Sequence, residues 1–178
     1  SLALRARIQF AHRHLDPSMP DASDECLLER LEDWLGPFLT GVKRIQQLEK
    51  LSLLDPLMAL LDWPQQQSLQ TLPIRIPVAS GSNIKVDYQG EQPVIRVKLQ
   101  EMFSETQSPM IAGQTVKIEL LSPAQRPLAV TMDLAFFWEE SYPDVRKEMR
   151  GRYPKHPWPE NPLTAEATTK TNRALRNS

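Results

Sequence analysis

The densest group of residues that could do chemistry lies near the end of the sequence, in the segment DVRKEMRGRYPKHPW at positions 144–158. Arg146 and Arg150 are spaced i, i+4, which places them on one face of a helix. Cationic side chains attract the phosphates of a nucleic acid, and aromatic rings can stack on unpaired bases. The segment therefore predicts a surface for single-stranded RNA or DNA, formed by Arg146, Lys147, Arg150, Arg152, Tyr153, Lys155, His156 and Trp158.

A structural interpretation explains the same segment equally well. Cations in the last turn of a helix favour the negative end of its dipole. The stretch GRYPKHPWPENPL, residues 151–163, contains four prolines and could brace the chain end against its own domain, with Tyr153 and Trp158 filling surface grooves. We call this stretch the Pro-rich strap. The two interpretations are compatible, because a strap fixed by its aromatic rings would hold its cations in a rigid array.

No catalytic pattern stands out in the sequence. None of its six glycines forms a GxxxxGK[S/T] or GxGxxG pattern, so we predict no phosphate loop and no ATP hydrolysis by this chain. The Ser80-Gly81-Ser82 stretch separates two predicted strands and is typical of a hairpin turn, not of a nucleophile elbow. Cys26 has no histidine or basic cluster near it in the sequence and is predicted to be a small core or boundary residue.

The remaining polar candidates also favour structural roles. His12 and His14 are two positions apart, so they point to different faces of a helix, and no third ligand is spaced with them. Glu139 and Glu140 follow an apolar helical stretch, which is typical of a solvated helix end. We therefore predict no catalytic residue, no metal site and no bound cofactor in this chain.

Composition and charge indicate a globular protein with a basic end. The 178 residues are 40% hydrophobic and 24% charged, enough for one ordinary core. Positions 146–178 hold eight basic and three acidic residues, so a basic arm of +5 follows a body of −6. A single cysteine excludes an internal disulfide, and no membrane span or secretory signal is visible. We therefore expect a cytoplasmic protein with no membrane partner.

The first part of the chain has the apolar spacing of short helices. Ser23 is a good N-cap for a helix that Gly36-Pro37 would end, and Pro56 suits the first turn of another short helix. Four or five helices are predicted up to about Leu72. Because the sequence begins with a helical pattern and without a methionine, we expect it to be part of a longer polypeptide.

The pattern then changes to strands. Apolar and polar residues alternate at 74–78, 84–88 and 116–120, short apolar stretches at 94–97 and 128–131 predict two more strands, and Asp133 and Tyr142-Pro143 then begin two helices. This order predicts an α+β fold: a cluster of short helices, a small and mostly antiparallel sheet, two closing helices and the Pro-rich strap. We expect a helical subdomain over 1–72, a β-rich subdomain over 73–163 and a flexible tail over 164–178.

Several long stretches carry a specific resemblance. They are LEDWLGPFLTGV, SGSNIKVDY, LLSPAQRPLAVTMDLAFFWEESYPDVRKEMRGRYPKHPW and its overlapping extension to PENPL. Together they resemble the C-terminal region of the HrpB family of bacterial ATP-dependent helicases, in the DEAH/RHA group, and the resemblance runs from about Arg5 to Thr169. It implies a parent protein whose two RecA-like motor domains carry the Walker motifs, the DEAH-type box, ATP and Mg²⁺. None of those motor residues is present in this sequence.

The resemblance implies a non-catalytic C-terminal accessory domain of an ATP-dependent RNA helicase. The basic segment favours a role in binding or guiding nucleic acid. The alternative is a protein-docking module that packs on the motor domains or recruits a partner through its acidic helical half and exposed apolar residues. The expected partners are single-stranded RNA or DNA, and the motor and accessory domains of the same helicase chain.

Overall fold

The chain folds into two units that differ in secondary structure. The computed structural model describes all 178 residues, Ser1–Ser178. One unit, which we call the helical unit, comprises Ser1–Pro73 and Asp87–Glu91, and the other, the sheet unit, comprises Ile74–Val86 and Gln92–Ser178. Helices and strands follow one another in the order that the sequence predicts, so the α+β class is confirmed. The subdomain boundaries at 72 and 163 stay a prediction.

Six short helices build the helical unit. They are α1 Leu2–His14, α2 Asp24–Glu29, α3 Leu31–Leu35, α4 Ile45–Glu49, α5 Leu54–Ala59 and α6 Trp63–Gln70, with a 3-10 turn at Gly36–Leu39. Ile8 and Phe10 of α1 are buried, as are Leu57 of α5 and Leu69 of α6. The Phe10 ring lies 5.0 Å from the ring of Tyr88, measured between centroids. Helices α1, α5 and α6 therefore bury apolar side chains, which is how such short helices gain stability, whereas α2 and α4 have no buried residue.

The helix that begins after Ser23 is shorter than predicted. The Ser23 hydroxyl caps it by accepting the Cys26 backbone N–H at 3.4 Å. At Arg30 the backbone leaves the helical region, with φ −108° and ψ 22°, and α3 begins at the next residue. The prediction of one helix from Ser23 to Gly36 was wrong, because apolar spacing continues across the break and carries no signal of it.

A five-stranded mixed sheet forms the core of the sheet unit, in the order β1-β2-β3-β6-β7. Its strands are β1 Arg75–Pro77, β2 Asn83–Asp87, β3 Val94–Lys98, β6 Lys117–Leu121 and β7 Pro127–Thr131. β1 pairs antiparallel with β2, and β6 pairs antiparallel with β7. β3 and β6 pair in parallel, which brings buried Ile95 beside Ile118 and buried Val97 beside Leu120. Between them the chain makes a 3-10 turn at Leu99–Met102 and a small hairpin of β4 Met110–Ile111 and β5 Gln114–Thr115.

A nearly continuous helical stretch follows the sheet. Helix α7, Leu134–Phe136, begins where the Asp133 carboxylate accepts the Phe136 backbone N–H at 3.0 Å. A π-helical turn over Phe137–Ser141 joins it directly to α8, Tyr142–Arg152. The last helix, α9, spans Asn172–Arg176. No helix of the chain combines the length and the apolar character needed to cross a bilayer.

A buried carboxylate fixes the turn between β1 and β2. The Ser80 and Ser82 hydroxyls donate to Glu101 Oε1 at 3.0 and 2.5 Å, and Glu101 is 7% exposed. Gly81 between the two serines has φ +90°, a conformation that favours glycine. The Ser-Gly-Ser stretch is therefore a hairpin turn whose hydroxyls satisfy a buried carboxylate.

Residues after the Pro-rich strap pack against the sheet unit to which they belong. Thr168 is buried, and its backbone N–H donates to the Gln100 carbonyl at 2.9 Å. The Thr171 hydroxyl accepts the Ala174 N–H at 3.4 Å and caps α9. The chain end thus has defined contacts within its own unit.

Candidate nucleic-acid interface

The predicted cations on helix α8 differ in burial. Tyr142 and Met149 are buried on one face, and the Arg146 side chain lies with them at 22% exposure. Lys147 and Arg150 are exposed. The i, i+4 spacing of Arg146 and Arg150 therefore does not give them the same surroundings.

Arg146 holds the Pro-rich strap. Its Nε donates to the Trp158 carbonyl at 2.7 Å, and its Nη2 lies 3.9 Å from Glu160 Oε1. The first contact is a charge-assisted hydrogen bond in a half-buried position. Arg146 thus joins the middle of the strap to the middle of α8.

The aromatic residues of the segment add to this bracing. Trp158 is 8% exposed, and its Nε1–H donates to the Tyr153 carbonyl at 3.0 Å. The Tyr142 hydroxyl donates to the Pro159 carbonyl at 2.6 Å. Burial raises the pKa of Tyr142 to about 12, against a smaller opposing effect of the Arg146 charge. Tyr153 is only half-buried, so Trp158 is the aromatic side chain of the strap that packs in the core.

The backbone of the strap is bonded along its length. The Gln100 side-chain amide donates to the Pro157 carbonyl at 3.5 Å, and the Ser104 N–H donates to the Pro162 carbonyl at 2.8 Å. Prolines fix φ and lack an N–H, so their carbonyls are the groups left to be satisfied. These contacts hold the strap in one conformation.

Four cations of the segment remain exposed and make no ion pair. They are Lys147 and Arg150 on α8, Arg152 at its last position and Lys155 in the strap. We call these four residues the cation cluster. Because their backbone is helical or held by the strap contacts, their charges sit on a fixed frame in solvent.

His156 has a less favourable environment for a positive charge. Partial burial lowers the pKa of His156, and the nearby Lys98 ammonium lowers it further. The imidazole is therefore mainly neutral at pH 7 and can donate or accept a hydrogen bond without adding charge.

Helix α9 adds cations that the predicted site did not include. The Asn172 N–H donates to the Lys155 carbonyl at 2.8 Å, and its side-chain amide donates to the carbonyls of Pro154 and His156 at 3.3 and 3.2 Å. These bonds bring the helix against the strap, with Arg173 and Arg176 exposed on it. Arg173 and Arg176 were part of the basic arm counted over 146–178, but the sequence did not show that they lie near the cation cluster. The Asn172 contacts show it.

The other polar residues considered from the sequence have structural contacts. His12 Nδ1 lies 2.7 Å from the Met19 carbonyl, and the ring of His14 packs on Phe10 at 4.8 Å between centroids. Cys26 is half-buried at the start of α2. No three His, Cys, Asp or Glu side chains come together in a geometry that could hold a metal ion.

Comparison with protein families identifies the chain. The family model described as ATP-dependent helicase C-terminal matches residues 34–162. The chain belongs to this helicase C-terminal family. The match includes the sheet, α8 and most of the Pro-rich strap, so the frame that supports the cation cluster lies within the family's own domain.

Individual relatives agree with the family. The chain is 44% identical over 175 residues to a protein named ATP-dependent RNA helicase HrpB from Escherichia coli (strain K12). This match covers 96% of this chain and 22% of the relative. A crystal structure described as the E. coli DExH-box NTPase HrpB matches with a TM-score of 0.82 at 43% identity, over 96% of this chain and 22% of that one. A second, described as the Escherichia coli DEAH/RHA helicase HrpB, matches with a TM-score of 0.67 at 42% identity, over 88% and 20%. The chain spans about a fifth of the length of these relatives.

Proposed function

We propose that this chain is a non-catalytic accessory domain that binds single-stranded RNA or DNA for an ATP-dependent helicase. The observation that supports the proposal best is the cation cluster: four exposed, unpaired positive charges on a frame fixed by hydrogen bonds. Phosphates of a nucleic-acid strand are the natural counter-charges for such a surface, because binding them releases condensed counterions.

Rigidity of the strap strengthens this proposal. A flexible basic tail loses conformational entropy when it is ordered by a ligand, whereas pre-positioned side chains lose less. The bonds from Arg146 to Trp158 and from Tyr142 to Pro159 order the backbone before any ligand arrives. Arg146 and Trp158 thus act in the proposal as positioning residues, while the cation cluster makes the contacts.

Base stacking has a smaller part in the proposal than phosphate binding. Trp158 is buried with its N–H occupied, so Tyr153 is the aromatic ring of the segment that remains partly accessible. Neutral His156 beside it can hydrogen-bond a base or sugar. We therefore propose contacts mainly with the backbone of the strand, and weak preference among base sequences.

ATP and Mg²⁺ belong, in this proposal, to the rest of a helicase chain. The six glycines of this chain form no phosphate-loop pattern, so we assign it no binding site for a nucleoside triphosphate. The accessory domain would hold the nucleic acid while motor domains in the same polypeptide use the ATP.

Charge neutralisation tests the proposal. Replacing Lys147, Arg150, Arg152 and Lys155 by glutamine should weaken the binding of a fluorescein-labelled 12-nucleotide single-stranded RNA at least about tenfold at low salt. The matched control replaces four exposed cations elsewhere, Lys43, Lys50, Lys85 and Arg126, by glutamine. Fluorescence anisotropy gives both affinities, and circular dichroism checks folding. Equal weakening by the two sets would refute a specific site.

Protein docking is a second candidate, favoured by apolar residues exposed on the helical unit. Leu2, Leu28, Ile45 and Trp63 each expose more than half of their surface. Leu2 and Leu28 line one groove together with Leu31, and a contiguous exposed apolar surface is typical of an interface. In this candidate the unit packs on motor or accessory domains of the helicase. Sedimentation of the chain mixed with a relative's motor portion would detect the complex, and its absence would reject this role.

A further inference from the structure

A second surface of the sheet unit has a different character from the cation cluster. A groove of about 330 Å³ opens between the end of the Pro-rich strap and the π-helical turn. Trp138, Ala135, Pro162 and Leu163 give it an apolar lining, and Glu139 and Glu160 supply carboxylates. No lysine or arginine is among the lining residues. We call it the acidic groove.

The floor of the acidic groove is rigid. Trp138 is 4% exposed, and its Nε1–H donates to the Glu105 carbonyl at 2.7 Å. Its ring contacts Tyr142 edge-on at 5.4 Å between centroids. The Pro162 carbonyl accepts the Ser104 N–H, which fixes the opposite wall. The groove is therefore formed before any ligand binds.

Apolar side chains at the groove face solvent. Leu163 in its wall is 45% exposed, and Phe136, next to Ala135 in the chain, is 59% exposed. The π-helical turn begins at the following residue, and such turns are frequent at functional sites. An exposed apolar surface beside a preformed groove favours binding of an apolar side chain.

The charges decide which kind of partner fits. Glu139 makes no ion pair, and Glu160 has only the 3.9 Å approach of Arg146, while its own side chain is 89% exposed. A partner that fills the groove with an apolar side chain would gain most by carrying cations beside it. We infer that the acidic groove binds a protein segment in which an apolar anchor residue is flanked by lysine or arginine. This inference does not depend on the proposed nucleic-acid function, since it uses a different surface and the opposite charge.

A peptide of simple composition tests the inference on the intact chain. The probe is a fluorescein-labelled 12-residue peptide of alternating lysine and leucine, compared with alternating glutamate and leucine and with alternating lysine and serine. We expect the lysine-leucine peptide to bind at least about tenfold more tightly than either of the other two. Its binding should also move the NMR signal of the Trp138 indole N–H, which is assigned with a Trp138→Phe variant.

Variants locate the binding. Glu139→Lys should weaken the lysine-leucine peptide about fivefold, because it replaces an attraction with a repulsion. Ala135→Lys, at an exposed position in the wall, adds bulk and charge and should weaken it more than about tenfold. Glu148→Lys makes the same charge change at an exposed position outside the groove, and binding should change less than about twofold.

Three results of the peptide experiments would overturn the inference. They are equal binding of the three peptides, equal effects of Glu139→Lys and Glu148→Lys, and a Trp138 signal that does not move. Self-association of the chain that Leu163→Asp abolishes, measured by analytical ultracentrifugation, would assign the groove to a second copy instead and would also overturn it.

Discussion

Arg146 and Lys147 are adjacent on α8 but differ in role, because Arg146 anchors the Pro-rich strap and Lys147 is a proposed phosphate contact. Arg146→Met removes the hydrogen bond from Nε to the Trp158 carbonyl and leaves that carbonyl without its partner. A hydrogen bond to a charged group contributes about 1.5 to 3 kcal/mol. Because the Arg146 side chain is 22% exposed, we expect a loss near the lower end, about 1.5 kcal/mol. The distant contact with exposed Glu160 adds little to this.

Lys147→Met is the matched control. The Lys147 side chain is exposed and has no ion-pair partner, so its loss should change the free energy of unfolding by less than about 0.5 kcal/mol. For a chain of this size, Arg146→Met should lower the Tm by roughly 3 to 6 °C. Urea titration and thermal melting followed by circular dichroism measure both effects.

For RNA affinity we expect the opposite order, with Lys147→Met weakening binding more than Arg146→Met. Lys147→Met removes a proposed phosphate contact from a domain of unchanged stability, whereas Arg146→Met removes a positioning residue. Equal Tm values for the two variants would refute the role of Arg146 as the anchor of the Pro-rich strap. The conservative variant Arg146→Lys should recover only part of the stability, because its ammonium lacks the planar geometry of the guanidinium.

Three other predictions concern buried or partly buried polar groups. Glu101→Ala removes the acceptor of two serine O–H groups and should cost about 2 kcal/mol in urea unfolding, more than Glu101→Gln, which keeps an acceptor. Burial raises the pKa of Tyr142 in the folded state to about 12, above its ordinary value, so the folded state should lose stability as pH rises from about 10 through 12. Tyr142→Phe should reduce this loss of stability at alkaline pH, measured by thermal melting at several pH values. An unchanged pH profile would contradict the assignment. The pKa of His156 is lowered by burial and by Lys98, so Lys98→Gln should raise it in an NMR titration, and an unmoved pKa would exclude that influence.

Local periodicity predicted most of the elements. Alternating apolar residues and short apolar stretches predicted the five strands of the main sheet, and Ser23 and Asp133 both cap helices as their types suggested. These features depend on neighbours in the chain, which the sequence displays directly. The two-residue strands β4 and β5 are too short to alternate, and the parallel pairing of β3 with β6 depends on residues far apart in the chain.

The candidate site could be predicted only in part. The basic composition of the segment is visible in the sequence, but the division of labour within it is not. Arg146 finds its partner in a carbonyl twelve residues later, and Asn172 joins α9 to the strap across a similar gap. Such contacts depend on where the backbone returns in space. The prediction, based on residue types and spacing, therefore grouped an anchoring arginine with four exposed cations.

Salt dependence of RNA binding tests the central proposal most directly. The association constant of the intact chain for the 12-nucleotide RNA is measured by anisotropy at several salt concentrations, and the measurement is repeated with the cation cluster changed to glutamine. If the four residues each bind a phosphate, the logarithm of that constant should fall against the logarithm of salt with a slope steeper by about 3 than in the glutamine variant. Equal slopes for the two proteins would contradict the account.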